Sequence, residues 1–215
     1  DWSWAAAYQQ LGKTYYPKLL SGVPHTPASG PRFLVAAGSD SDQVRTRLIE
    51  HIKASVAESG FSSWHVALPA TDEVELLRAN GLLVSHDVQF HWRDHGYGDF
   101  DGYLAAFPSA KRRKVKAERR RVGENGLTIE VRHGNEIAPD EWPALYQLYA
   151  ATFEKYGNYA AFSAACFADL AAALGRRMVV FIARQQGAPV AISLCFRSND
   201  TLDGRYWGTS GNFHS

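Results

Sequence analysis

The chain has 215 residues, with 23 Lys or Arg against 22 Asp or Glu and a formal charge of +1; 46% of its residues are hydrophobic and 21% charged. That is ordinary for a soluble globular protein of one large or two small domains. No apolar run approaches the roughly 18 residues of a membrane span, no secretory signal opens the chain, and no Cys/His cluster has zinc-ligand spacing, so no metal site is expected.

In chain order, residues 2–10 read as the end of a helix closed by Gly12. Thr14 to Val23 is strand-like, with Pro17 marking an edge or bulge. Residues 24–32 form a loop with three prolines and a glycine, and Phe33–Ala36 is a short apolar run. From Asp42 to Ser59 the residues Val44, Leu48, Ile49, Ile52 and Val56 recur at helical spacing, with Asp40 or Ser41 as cap. Ser62–Leu68 reads as a strand, Thr71–Ala79 as a helix capped by Thr71, and Leu82–Trp92 as another strand. Leu127–Val131 is a strand, Pro139 opens a helix to about Tyr156, and Ser163–Leu174 is a helix closed by Gly175. Met178–Arg184, Pro189–Arg197 and Arg205–Thr209 are three strands joined by tight turns. The fold class is therefore α/β (α+β), a meander with helices and not a doubly wound sheet. Cys166 and Cys195 lie in apolar segments and read as reduced core residues, which points to a reducing, cytoplasmic compartment.

Between the two halves lies the run from Pro108 to Val122. Eight of the eleven residues from Lys111 to Arg121 are Lys or Arg and one, Glu118, is acidic; without this whole run the formal charge falls from +1 to −6. Neither Gly nor Pro interrupts 109–122, so the run predicts a helix with Ser109 as N-cap. Five of its i,i+3 and i,i+4 pairs are alike and two are opposite, an excess that costs about 1 kcal/mol. An anionic partner would relieve that repulsion, and so would salt around a solvated face.

The order of elements, together with particular motifs, resembles a known family. The motifs are Y-Y-P-K-L (15–19), P-H-T-P-A-S-G-P-R-F-L (24–34), W-H-V-A-L-P (64–69), Q-F-H-W-R-D-H-G-Y-G-D-F-D-G-Y-L (89–104), S-A-K-R-R-K-V-K-A-E-R (109–119) and R-Y-W-G (205–208). In combination they resemble the GNAT-like "peptidoglycan biosynthesis/recognition" family related to Fem-type peptidoglycan-bridge aminoacyltransferases. The resemblance implies a tandem GNAT-like architecture, with 1–107 the back half of a first domain and 108–215 the front half of a second. By it the chain is a fragment, and two chains could complete each other as a dimer by exchanging half-domains. The start at Asp1 without Met and the stop at His214-Ser215 read the same way.

The same resemblance implies transfer of an acyl or aminoacyl group to an amine, with no bound cofactor and with acyl-CoA or aminoacyl-tRNA as donor substrate. It carries over Lys111, Arg112, Arg119 and Arg120 as residues that hold an anionic, phosphorylated substrate such as a peptidoglycan precursor. The family's P-R-G-P loop stands here as Ala28-Ser29-Gly30-Pro31, without the Arg, for which Arg32 would substitute. Trp92, Tyr97 and Tyr206 complete the candidate substrate-binding set.

Amide formation needs a neutral amine, a positioned carbonyl and donors for the oxyanion. If Leu82–Trp92 is a strand, Asp87, Gln89 and His91 share one polar face and are the candidate catalytic residues, with a carboxylate or imidazole to take the amine proton. Any half-buried strand shows the same alternation. His65 reads as a satisfied core histidine, and Tyr156, Tyr159, Phe162, Tyr206 and Trp207 read as core and rim or as the floor of a groove. Two other functions fit the residues: a non-catalytic binder of nucleic acid or another anionic polymer, and an inactive fragment.

Overall fold

The computed structural model describes residues 2–211; Asp1 and His214-Ser215, where the chain reads as cut, lie outside the described residues. The chain divides into one unit that runs to Trp92 and a second that begins at Arg93.

The first unit holds α1 (Trp2–Gln10), β1 (Leu19–Ser21), α2 (Ser41–Glu58), β2 (Trp64–Val66) and α3 (Thr71–Ala79). β1 and β2 pair in parallel, with Leu19 opposite Trp64 and Ser21 opposite Val66. Ile49 from α2, Leu77 from α3 and the loop residue Phe33 form its core, packed against Ile52, Trp64, Val66, Leu76 and Leu82. The Asp40 carboxylate caps α2 by accepting from the Gln43 amide at 3.1 Å.

Several expected elements are shorter than their apolar patterns. The strand read over 14–23 contracts to three residues, preceded by the cis Tyr16–Pro17 bond, and that over 62–68 also contracts to three. Leu82–Trp92 forms no strand at all. Its alternation is a local property, whereas a ladder needs a neighbouring strand, and the described residues supply none.

Glu73 organises this unit. It is fully buried, the one charged side chain in that state among the described residues. Its carboxylate accepts from the amides of Arg32 at 2.8 and 2.9 Å, Phe33 at 2.9 Å and Ala70 at 3.3 Å. One side chain thus caps α3 and pins the proline-rich loop against it. The cap of α3 is Ala70, not Thr71, and its capping carboxylate is Glu73.

The second unit begins with α4 (Phe100–Ala105) and α5 (Ser109–Glu124). It continues with β3 (Leu127–His133), α6 (Trp142–Lys155), α7 (Ala164–Leu174), β4 (Met178–Gln185), β5 (Ala188–Arg197) and β6 (Leu202–Thr209). The four strands make an antiparallel meander in sequence order. Gln186 and Gly187, both at positive φ, close the β4–β5 hairpin; two successive positive-φ residues match the right-handed twist of the strands they join.

Each core side chain follows its element's period. Trp142, Leu145, Leu148 and Tyr149 come from one side of α6, Phe167 and Ala171 from one side of α7. Met178, Val180 and Ile182 alternate along β4 and meet Ile192 and Leu194 of β5. At Gly208 a Cβ would lie 1.9 Å from the Leu148 carbonyl oxygen, so glycine alone lets α6 lie this close to β6. Edge strand β3 turns Glu130 toward Arg184, which donates from Nε at 2.6 Å and also pairs with Glu141. Such a charged edge discourages pairing by another strand.

Replacing Glu73 with Ala leaves three amides without their acceptor in a buried site. Chemical denaturation of Glu73→Ala should show a loss of about 3 kcal/mol or more, since each orphaned buried donor costs roughly 1–3 kcal/mol. The control Glu75→Ala, at an exposed ion pair with Arg78, should move stability by less than about 0.5 kcal/mol. Equal effects of the two changes would remove Glu73 from its organising role.

Candidate functional site

α5 carries the chain's concentrated charge, and its surroundings show how much of that charge is answered. Its N-cap is Pro108, not Ser109, and none of its residues is buried. Arg112, Lys116 and Arg120 follow one another at i, i+4 and i+8 along one flank, with Arg113 beside them. Lys114 reaches Glu118 at 3.8 Å, Lys116 reaches Asp101 at 3.2 Å and Arg120 reaches Glu124 at 3.2 Å. All three carboxylates are exposed, so these pairs are worth little. Among the described residues, Lys111, Arg112, Arg113, Arg119 and Arg121 have no carboxylate within 4 Å.

Two of those five cations lie on aromatic rings instead. The Arg119 guanidinium carbon is 4.0 Å from the centre of the Phe100 ring, and Lys111 Nζ is 4.2 Å from that of Phe107. Phe100 opens α4 and Phe107 follows its end, seven residues on, so this short segment holds two side chains of α5 in place without neutralising them. Phe100, Asp101 and Leu104 with Lys116 and Arg119 line an open recess of about 390 Å³. Sequence reasoning passed over Phe100, Asp101 and Phe107; the signal was an i,i+7 aromatic pair just upstream of the basic run.

The structure places the other candidates as follows. Arg32 is spent internally: Nε donates to the Ala67 carbonyl at 2.8 Å, one terminal nitrogen to Gly30 at 3.0 Å and Pro31 at 3.2 Å, the other to Ala28 at 2.7 Å. It holds the Ala28–Pro31 loop in shape. Asp87, Gln89 and His91 lie in the exposed, ladder-free stretch. Asp87 accepts from the Val88 amide at 2.7 Å. Gln89 Nε2 donates to the Pro27 carbonyl at 3.1 Å, which fixes its amide orientation and leaves Oε1 facing His91 Nε2 at 2.9 Å. Because Oε1 can only accept, His91 carries its proton on Nε2 and, when neutral, keeps the Nδ1 lone pair for a proton.

Trp92 is exposed in the same stretch. Tyr97 meets Tyr103 edge-to-face at 5.4 Å, and its amide is held by Asp94. Tyr206 packs on the second unit's core, edge-to-face with Tyr149 at 5.1 Å, with the Arg205 guanidinium over its ring. Phe162 also packs there, while Tyr156, Tyr159 and Trp207 are exposed. Cys166 and Cys195 are both free thiols. Among the described residues no group of His, Cys, Asp and Glu could hold a metal ion, and no helix is long and apolar enough to cross a membrane.

These helices, with a small parallel pair and an antiparallel meander, define a mixed helix-and-sheet α/β protein. Its fold is similar to that of the C-terminal domain of a candidate lysylphosphatidylglycerol synthetase from Agrobacterium fabrum. The TM-score is 0.52 at 13% identity, over 90% of this chain and 57% of that one. At that identity the likeness is one of fold, and the chain spans little more than half of its neighbour. The FemAB-like family model, described as peptidoglycan biosynthesis/recognition, matches residues 1–215, and the chain belongs to that family. No curated protein matches it.

His65 is half-buried, with Nε2 3.0 Å from Ser63 Oγ, and burial, then the Lys18 charge, push its pKa below the ordinary 6.5. The unfolded chain therefore takes up this proton first. Stability from His65 is intact above about pH 6.5 and declines as pH falls toward the folded-state value. Denaturation of His65→Gln between pH 5 and 7.5 should show a flatter pH dependence than the parent; parallel curves would mean that His65 titrates alike in both states.

Proposed function

We propose that this FemAB-like chain takes part in transferring an acyl or aminoacyl group to an amine acceptor in a peptidoglycan or lipid context, with α5 receiving the anionic part of a substrate. The observation that carries this reading is the unanswered charge of α5: five cations without a carboxylate, two of them positioned by aromatic rings. Family membership supports aminoacyl transfer, and so does the name of the structural neighbour, a candidate enzyme that makes a lysylated phospholipid. The acceptor is a phosphorylated peptidoglycan precursor or lipid, and the donor an acyl-CoA or an aminoacyl-tRNA. On this reading residues 1–107 are the back half of a first GNAT-like domain and 108–215 the front half of a second, whereas the compact units divide at Trp92 and Arg93.

In the chemical step His91 is the proton acceptor. Its Nδ1 is the free basic position once Gln89 holds Nε2–H. Direct attack by the amine then needs no covalent enzyme intermediate. Substitution His91→Gln should lower turnover roughly 100-fold or more while leaving binding of the anionic ligand unchanged. Turnover within a factor of three of the parent would exclude His91 as the base.

The binding role is tested by Arg112→Gln/Arg119→Gln. Because no residue of α5 is fully buried, the double variant should melt within about 1 kcal/mol of the parent, the cation–π pair of Arg119 with Phe100 being the one side-chain contact it gives up among the described residues. Affinity for CoA, a UDP-linked muramyl peptide or tRNA, whichever binds the parent in a thermal-shift titration, should fall tenfold or more, as expected when charge-assisted hydrogen bonds are removed. A variant that melts much lower and binds as before would refute the assignment. Affinity for every nucleic acid alike, falling steeply with salt, would favour the anionic-polymer binder instead.

A further inference from the structure

Ser63 immediately precedes β2 and His65 lies within it, two residues on, so both side chains fall on one face of the chain. His65 Nε2 is 3.0 Å from Ser63 Oγ, and Ser63 Oγ is 3.3 Å from Ser62 Oγ. The protons set the direction of these contacts. Ser62 Oγ donates to the Tyr15 carbonyl at 2.5 Å, and a carbonyl oxygen only accepts. Ser62 therefore has no proton left for Ser63. The Ser63 proton goes to its nearer partner, His65 Nε2, which sets a hydroxyl against an imidazole base. Burial, then the Lys18 charge, keep that imidazole uncharged near neutral pH and able to take a proton.

The chain leading into β1 brings two donors to the same place. The Leu19 amide donates to the Ser63 carbonyl at 2.9 Å, which ties Lys18's neighbour to the serine. Lys18 Nζ donates to Tyr15 Oη at 2.9 Å, and the Tyr15 ring, 5% exposed, meets the His65 ring edge-on at 6.3 Å. An ammonium has no lone pair, so Tyr15 Oη only accepts from Lys18, and its own proton has no acceptor among the described residues. A hydroxyl proton left over on so buried a residue is a donor for a ligand oxygen. Ser63 and His65 themselves are half-buried, not sealed. Ser62, one hydroxyl away, lines an open recess of about 590 Å³ with Tyr8, Leu11 and Thr14.

We propose that Ser63 is a nucleophile toward activated acyl esters and thioesters, with His65 as its base and Tyr15 and Lys18 as donors to the oxyanion. Nucleophile, base and oxyanion donors are the parts such a step requires. Ser63 Oγ adds to the acyl carbonyl carbon as His65 Nε2 takes its proton, and negative charge gathers on the carbonyl oxygen, where the donors meet it. Collapse breaks the bond to the leaving group, which departs as alcohol or thiol with the proton from His65. Water then attacks the Ser63 ester by the same route, releasing the carboxylic acid and restoring the hydroxyl.

This cluster shares no residue with α5 or with the stretch that carries His91, and its test needs neither an amine acceptor nor an anionic ligand. A fluorophosphonate, which phosphonylates serines activated by a base, should add to the parent at Ser63, as read by mass spectrometry of that peptide. The parent should also hydrolyse p-nitrophenyl acetate. Ser63→Ala should lose the adduct and the hydrolysis. His65→Gln, which can still hydrogen-bond Ser63, should slow labelling roughly 100-fold. Tyr15→Phe keeps the ring and should lower hydrolysis roughly tenfold or more, as expected when one oxyanion donor is removed. A parent that stays unlabelled at Ser63, a label on Ser62 in its place, or His65→Gln labelled at the parent's rate would each overturn the assignment.

Discussion

A carboxylate removed from water costs several kcal/mol unless its lone pairs are taken up, and Glu73 is built into the first unit under that constraint. Four hydrogen bonds from three backbone amides converge on it. Two of the amides belong to a loop with three prolines and one to the cap of α3, so the carboxylate ties irregular chain to regular chain. With the loop fixed at Arg32–Phe33, the Phe33 ring enters the core beside Ile49 and Leu77. The Arg32 side chain turns back on its own loop. The Pro/Gly-rich segment thus owes its shape to one buried acid and one guanidinium that spends four hydrogen bonds on backbone carbonyls.

The second unit treats charge in the opposite way. Glu130, Arg184 and Glu141 neutralise one another beside the meander, whereas α5 keeps most of its cations facing solvent. An exposed helix tolerates like charges because water and salt screen them, and the cation–π pairs with Phe100 and Phe107 restrict two of the side chains without removing charge. This combination of fixed position and unanswered charge is what an anion-binding element requires. It also leaves the cations of α5 open to substitution at little cost in stability, since none of them is buried.

Sequence periodicity by itself determined the long helices and the meander. α2 was legible from Val44, Ile49, Ile52 and Val56, α5 from an uninterrupted run of helix formers, and β4 to β6 from alternation bounded by Gln186-Gly187 and Ser198-Asn199-Asp200. These signals are local, each set by the geometry of a single element. The family, too, was legible, because its motifs are strings of particular residues. Only tertiary structure decided what depends on a distant partner. Leu82–Trp92 has a strand's alternation but no ladder, because pairing needs a neighbour that the pattern does not supply. Thr71 looks like a cap until Glu73 is found occupying the amides from within the core. Arg32 and Arg119 are alike as letters in a sequence. One spends donors on the carbonyls of its own loop and of Ala67 and the other rests on Phe100 with its charge unanswered, and that difference lies wholly in what the fold places within 4 Å of each.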